Sequence, residues 1–380
     1  MNFSWSTPLR RKGQTNLPLI PNEIYLHIFE CMAPTDQPLK EQDVETFSAL
    51  ALVCRFFCSV ALPRIFECVT FFGCRNSNNT LVSRKTKWAR QILANSEPAK
   101  SLALYVKECT FEYWESDEKT KWLFPFASLF CKAMTRMSNI RKVVFSSSFV
   151  KTDHWEALAE LKQLEDLGFH FCSFIDDPPN KELTVRSVML YGPRFTFTLR
   201  PIATTSLRSL KADIVEAVLN VVTFRQLAID ELVLHRQIPD IEPLLHVFQH
   251  LPNLQILSFS LSRQALASSY GKLSLKRLFT RLRSFTMNVF DAHVPRHDND
   301  DIKMLVSDLC DGPGTLPSLK TLNIAFIPAS ECTARVLDIM YDCLNGTIVP
   351  AFPNVRWIDT DGGLMRLVEG NWKVHRSKSS

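Results

Sequence analysis

Apolar positions follow two different rhythms along the chain. In IPNEIYLHIFECM, residues 20–32, Ile24, Ile28, Phe29 and Met32 recur at i, i+4, i+5 and i+8. That is the stripe of a short amphipathic helix. Pro21 suits the first turn, where its missing N–H is not needed, and Asn22 and Glu23 sit at the positive end of the helix dipole. Pro34 stops the helix, and APTDQPLKEQD reads as a polar loop. The segment Val44–Leu62 is different. At about 100° per residue, Phe47, Leu50, Cys54, Phe57 and Ala61 share one face, and Leu52, Val53, Phe56 and Val60 share another. One helix, or two broken near Arg55, would need cover on both faces. The short first helix can cover one of them. The other requires the rest of the chain or a second protein.

Beyond residue 65 a weak repeat takes over, with apolar residues at positions 1, 4, 7 and 9. It fits Met137/Ile140/Val143/Phe145, Leu161/Leu164/Leu167/Phe169, Leu251/Leu254/Leu257/Phe259, Phe279/Leu282/Phe285/Met287 and Leu316/Leu319/Leu322/Ile324. A last unit, Phe352/Val355/Ile358, ends on the polar Thr360, and shorter matches occur at Val69/Phe71, Val106/Cys109/Phe111, Leu183/Val185, Leu207/Leu210 and Ile229/Leu232/Leu234. Positions 7 and 9 lie on one face of a strand, and the earlier pair fixes the turn leading into it. A single unit cannot bury that face, so neighbours must stack. At roughly 1.5–3 kcal/mol for each buried side chain, the stack is cohesive without a partner. HVFQHLPNLQILSF and ARVLDIMYDCL read as containing helices on the outer face. The strand positions between the core ones face outward; among them are Asp166, His170, Glu231, His235, Ser258, Thr286, Asn288, Asn323 and Asp359. Their mixed chemistry suits a protein or peptide ligand. An ordinary α/β domain is the alternative to repeats, although unbroken apolar strand runs are scarce.

Composition narrows the function. A chain of 380 residues with 46% apolar and 22% charged residues is a folded protein. A net charge of +5, with tight basic runs only at LRRK and RSKSS, predicts no nucleic-acid surface. Eleven glycines include neither phosphate-loop pattern. Eleven cysteines contain no C-x-x-C pair, and their mixing with core residues favours reduced thiols in the cytoplasm or nucleus. No signal peptide is expected, and the apolar stretch Phe47–Leu62 is too short for a membrane span and carries Arg55 at its centre. His293, His297, Asp298, Asp300 and Asp301 have metal-like composition, but Pro295 interrupts the pair and no EF-hand glycine is present. No metal, no cofactor and no catalytic constellation are expected.

The first seventy residues resemble an F-box. The family's marks stand here as Ile20-Pro21, Glu23-Ile24 and Ile28-Phe29, then Leu50, Val53-Cys54-Arg55 and Phe57, with ALPRIFECVTF following as in fungal members. Ile20 replaces the usual leucine, Leu17-Pro18 offers a second Leu-Pro pair upstream, and Phe57 replaces a frequent tryptophan. The resemblance implies docking on the adaptor subunit of an SCF-type cullin–RING ubiquitin ligase, and through it on a cullin. It assigns that contact to Leu17, Pro18, Ile20, Pro21, Glu23, Ile24, Ile28, Phe29, Leu52, Val53 and Phe56, leaving Cys54 and Phe57 to the internal core. The L-P-x-L onsets at Leu251 and Leu316 resemble leucine-rich repeats as F-box proteins carry them, and Cys172, five beyond Leu167, sits where that family often has Asn or Cys.

The expected architecture is therefore α+β or α/β repeat: a flexible tail over 1–16, an F-box over 17–65, an irregular leucine-rich-repeat-like solenoid over 66–366 and a tail over 367–380. The implied function is that of a non-catalytic substrate receptor whose repeats hold an unidentified protein for ubiquitination. A repeat scaffold outside ubiquitin ligation is the alternative.

Overall fold

The computed structural model describes residues 21–33, 39, 41–73, 80–114, 124–175, 182–192, 202, 206–222, 228–290, 299–327, 333–360, 363–368 and 371–376. The protein is mixed α/β, with helices and mostly parallel strands, and it divides into two compact units. The first comprises Met1–Glu165 and Cys172–Pro179, and the second Asp166–Phe171 and Asn180–Ser380. The division thus falls inside the expected 66–366 domain rather than at its border with the N-terminal helices. Among the described residues no helix is long and apolar enough to cross a membrane.

The first unit begins with α1 (Asn22–Met32), α2 (Glu41–Ala51) and α3 (Arg55–Ile65). Phe29, Ala33, Phe47 and Ala61 form their core, with Leu50, Phe57, Val60 and Ile65 packed around it. The Phe29 ring stands edge-on to Phe47 and Phe57 at 5.5 and 5.3 Å. The long apolar segment is not one helix with two faces. It breaks after Ala51, where the N–H groups of Leu52 and Val53 donate to the carbonyls of Ala49 and Leu50. Cys54, in extended backbone, then caps α3 by accepting the Phe57 N–H at 3.4 Å. Arg64 closes the helical cluster, reaching the Ala33 carbonyl and pairing with Glu67.

Strands β1 (Cys68–Phe72), β2 (Glu108–Glu112) and β3 (Lys142–Ser146) follow in parallel register. Phe71, Phe111 and Phe145 align on the buried face, with successive ring centroids 5.4 and 5.2 Å apart. Each strand begins under a repeated hydrogen-bond fork. The Glu67 carbonyl accepts the N–H groups of Lys107 and Glu108, and the Lys107 carbonyl accepts those of Arg141 and Lys142. Strand ends repeat as well. Tyr113 and Ser147 take left-handed φ values of 58° and 46°, a conformation costly for residues with a Cβ. That turn brings the next side chain back under the preceding strand: Trp114 Nε1 donates to the Phe71 carbonyl at 2.8 Å and Ser148 Oγ to that of Phe111 at 3.2 Å. Cys172 Sγ donates to the Phe145 carbonyl at 3.2 Å in the same way. The short strands β4 (Phe149–Val150) and β6 (Ser173–Phe174) pair beside these turns.

The helix Thr152–Glu160 brings a titratable group into this core. His154 is buried, its Nδ1 accepts the Lys151 N–H at 3.1 Å, and its ring stands edge-on to Phe111 and Phe145. Burial pulls its pKa from 6.5 down to about 4, against the opposing charge of Asp153. The unfolded chain therefore takes up a proton near pH 6.5 that the folded chain refuses. The stabilisation is complete above pH 6.5 and is lost as pH falls towards 4, with a magnitude of roughly 3 kcal/mol. Urea unfolding at pH 7.5 and 4.5 should show His154→Leu losing about 2–3 kcal/mol less than the parent across that interval. Equal losses would mean the imidazole is charged in the folded state.

The second unit runs through β5 (Asp166–His170), β7 (Ser187–Tyr191), β8 (Ser209–Ala212), β9 (Glu231–Ile238), β10 (Ile256–Ser262), β11 (Ser284–Phe290), β12 (Thr321–Ile327) and β13 (Trp357–Thr360). These strands pair in parallel, each beside its predecessor. The same forks recur: the carbonyls of Arg186, Arg208, Asp230, Gln255, Arg283 and Lys320 each accept two successive N–H groups from the following strand. Leu167, Val188, Leu210, Leu232, Leu257, Phe285, Leu322 and Ile358 are fully buried or nearly so. The expected Leu183/Val185 strand is displaced: both residues are buried ahead of β7, Leu183 in a parallel bridge to Ile202, and Val188 and Leu190 take the strand core. The expected tail over 367–380 is corrected in its described residues, 367–368 and 371–376, which are strand. β14 (Gly363–Val368) and β15 (Asn371–Arg376) pair antiparallel with β13 and with each other. Turning back this way lets the chain extend the sheet without another crossover.

Candidate functional site

Two surfaces carry the residues singled out from sequence. The first is on the N-terminal helices. Leu17, Pro18 and Ile20 lie outside the described residues. Pro21 precedes α1 and is exposed, as is Glu23. Ile24 is 50% exposed and Ile28 45%, whereas Phe29 is only 6% exposed. Phe29 is therefore a core residue, and its assignment to a docking face is corrected. The helical angle explains the split: at 100° per residue, Ile24 and Ile28 stand about 40° apart and about 100–140° from Phe29. Leu52 is 88% exposed and Val53 65%, because the break between α2 and α3 projects them from a turn. Phe56 is half-buried, and its ring meets Tyr25 of α1 at 6.3 Å. The helical core thus closes without Leu52, Val53, Ile24 or Ile28.

The second surface is the outward strand face of the second unit. Register aligns Ser258, Thr286, Asn323 and Asp359 in one row across β10 to β13. Asn288 lies one step along, its amide donating to Ser260 Oγ at 3.4 Å. Asp166 and Glu231 open their strands, and Glu231 pairs with Lys211 at 3.5 Å. These side chains alternate with fully buried ones, as a half-covered sheet requires. His235 breaks the pattern. The pairing of β9 with β10 slips between Ser258 and Ser260, so His235 and Arg236 sit in a bulge, a device that re-aims side chains. His235 Nε2 meets Tyr191 Oη at 2.9 Å, and Tyr191 contacts the His170 ring at 4.7 Å between centroids. Asp213 anchors the cluster, accepting the Gly192 N–H at 2.9 Å and pairing with Arg236 at 3.3 Å. Burial, and then the Asp213 charge, push the Tyr191 phenol above its ordinary value. That shift works against ionising the phenol and keeps its O–H available for hydrogen bonding.

Tyr191 and Asp213 escaped the sequence reading because their roles depend on register and on a bulge. The sign that could have flagged them is parity, since both follow the buried residue of their strand as His170 does. Of the metal-like group, His293, His297 and Asp298 lie outside the described residues, while Asp300 and Asp301 lie in the helix Asn299–Cys310. Among the described residues, no group of three or more His, Cys, Asp or Glu side chains gathers as a metal site.

No protein-family model matches the chain, and no match was found among the curated proteins.

Proposed function

We propose that this chain is the substrate receptor of an SCF-type cullin–RING ubiquitin ligase, with α1 to α3 as an F-box and the strand arrays as irregular leucine-rich repeats. The observation that carries the reading is the bare turn at Leu52 and Val53. The helical cluster has a closed core of Phe29, Ala33, Phe47 and Ala61, yet leaves these two side chains largely in water. An isolated exposed leucine is ordinary, but exposed apolar residues on both α1 and this turn suit a docking subunit. Ile24, Ile28, Leu52, Val53 and Phe56 would meet the adaptor, with Leu17, Pro18, Ile20, Pro21 and Glu23 beside them. The repeat part of the reading is supported by the recurrent carbonyl forks and by Trp114, Ser148 and Cys172, which bond corresponding carbonyls.

In this reading the chain performs no bond chemistry. Holding a target on one surface and the ligase on another raises the local concentration of target around the ubiquitin carrier. The outward strand residues would make the target contacts. Affinity capture of the full chain from cells should retain both the adaptor and a cullin. Adaptor without cullin would favour a binding scaffold outside ubiquitin ligation, and loss of both would overturn the proposal.

A further inference from the structure

Cations that are remote in sequence converge along one margin of the second unit. Arg283 immediately precedes β11, Lys320 β12 and Arg356 β13, and all three are exposed. Backbone bonds hold them in consecutive register: the Arg283 carbonyl accepts the Lys320 N–H at 2.8 Å, and the Lys320 carbonyl accepts that of Arg356 at 2.9 Å. The terminal hairpin adds cations beside the row, one register step further on, since Leu367 takes the place opposite Arg356 and donates its N–H to the Arg356 carbonyl at 3.0 Å. Trp357 pairs with Arg366, and Arg366 with Lys373 on the edge strand. Directly opposed cations destabilise an antiparallel pair, so Arg366 and Lys373 gain nothing from facing each other in the folded chain alone.

Four other cations of this unit are paired, Lys211 with Glu231, Arg236 with Asp213, Lys272 with Glu242 and Arg277 with Asp311, while Arg208 and Lys276 reach backbone carbonyls. Among the described residues, Arg283, Lys320, Arg356, Arg366 and Lys373 form no ion pair. Arg366 instead lies over the Trp357 ring, 4.3 Å from its centroid. Among the described residues the nearest carboxylate in the register is Asp359, two residues beyond Trp357 on the same strand face. At about 4.8 Å per strand the row from β11 to β15 spans roughly 20 Å. An extended segment of about six residues covers that distance.

We infer that this row is a docking surface for an acidic, extended polypeptide segment of the target. The inference rests on the receptor reading and specifies the chemistry of what the strand face binds. Charge complementarity supplies orientation and a fast, salt-sensitive encounter. Trp357 and Thr321 add apolar and hydroxyl contacts between the cations.

The test is fluorescence anisotropy of a labelled glutamate-rich peptide with the full chain, alongside a single-stranded oligonucleotide of equal charge. The parent should bind the peptide, with affinity falling about tenfold between low and physiological salt. Arg283→Glu with Arg356→Glu should lose that binding, Arg283→Gln with Arg356→Gln should weaken it, and Lys132→Glu with Lys162→Glu in the first unit should retain it. Equal loss in the first-unit variant would reduce the effect to net charge and overturn the inference. Tighter oligonucleotide binding through the same residues would also overturn it, in favour of a nucleic-acid surface. If adaptor and cullin are captured but the peptide does not bind, the inference fails and the receptor reading stands. If the peptide binds in the predicted way while adaptor and cullin are absent, the receptor reading fails instead.

Discussion

Under the receptor proposal, Ile24→Asp combined with Leu52→Asp is expected to abolish capture of adaptor and cullin while the chain remains as stable as the parent. Both side chains are largely exposed, at 50% and 88%, so carboxylates there stay hydrated in the free protein. Exposed substitutions away from special features usually change stability by less than about 0.5 kcal/mol. In a complex, each apolar side chain would contribute about 1.5–3 kcal/mol on burial, and a carboxylate would have to be desolvated in its place. The combined loss corresponds to about a hundredfold or more in affinity. Phe29→Asp provides the contrast. It buries a charge among Phe47, Phe57 and Ala61, and should unfold the helical cluster as well as remove binding. Capture measured together with urea unfolding separates the two results. If the double variant still carries adaptor and cullin, the docking face lies elsewhere.

The difference between Phe29 and its neighbours also marks how far sequence could be read in this region. Periodicity placed Ile24, Ile28, Phe29 and Met32 on one stripe, but the cluster's core direction is set by Phe47 and Phe57 through tertiary contacts. Only Phe29 of that stripe points along it. Likewise, apolar content signalled surplus surface around Leu52 and Val53, whereas the helix break that exposes them depends on Cys54 capping α3. The strand cores were more legible because each apolar pair sits within one strand and the preceding turn. Leu254, Leu257 and Phe259 lie close in sequence and share a buried face. What depended on neighbouring strands was not readable. The Tyr191–His235 bond needs the bulge in β9, and the row of Arg283, Lys320 and Arg356 joins residues more than thirty positions apart. A search for tight basic runs therefore missed it. The terminal hairpin was hidden for another reason: its strands Gly363–Val368 and Asn371–Arg376 lack the turn signature of the parallel units.

Phe259→Ala should be the most damaging single truncation tested in the second unit. Phe259 is fully buried on β10, with its ring 6.1 Å from Phe248 and 5.7 Å from Phe285. Removing it opens a cavity between the sheet and the helix Glu242–His250, at a cost of about 3–5 kcal/mol. Ser258→Ala, one position earlier on the outward face, should cost less than about 0.5 kcal/mol. Because β9 and β11 are the strands that pair with β10, the damage should reach them first. Amide exchange should therefore accelerate at Leu232, Leu257 and Phe285 before it does at Leu167 or Ile358. Uniform acceleration across the unit would instead indicate one cooperative core, in which strand order along the sheet does not set the path of unfolding. Small, equal effects of both substitutions would contradict the alternation of core and surface on which the proposed outward binding face depends.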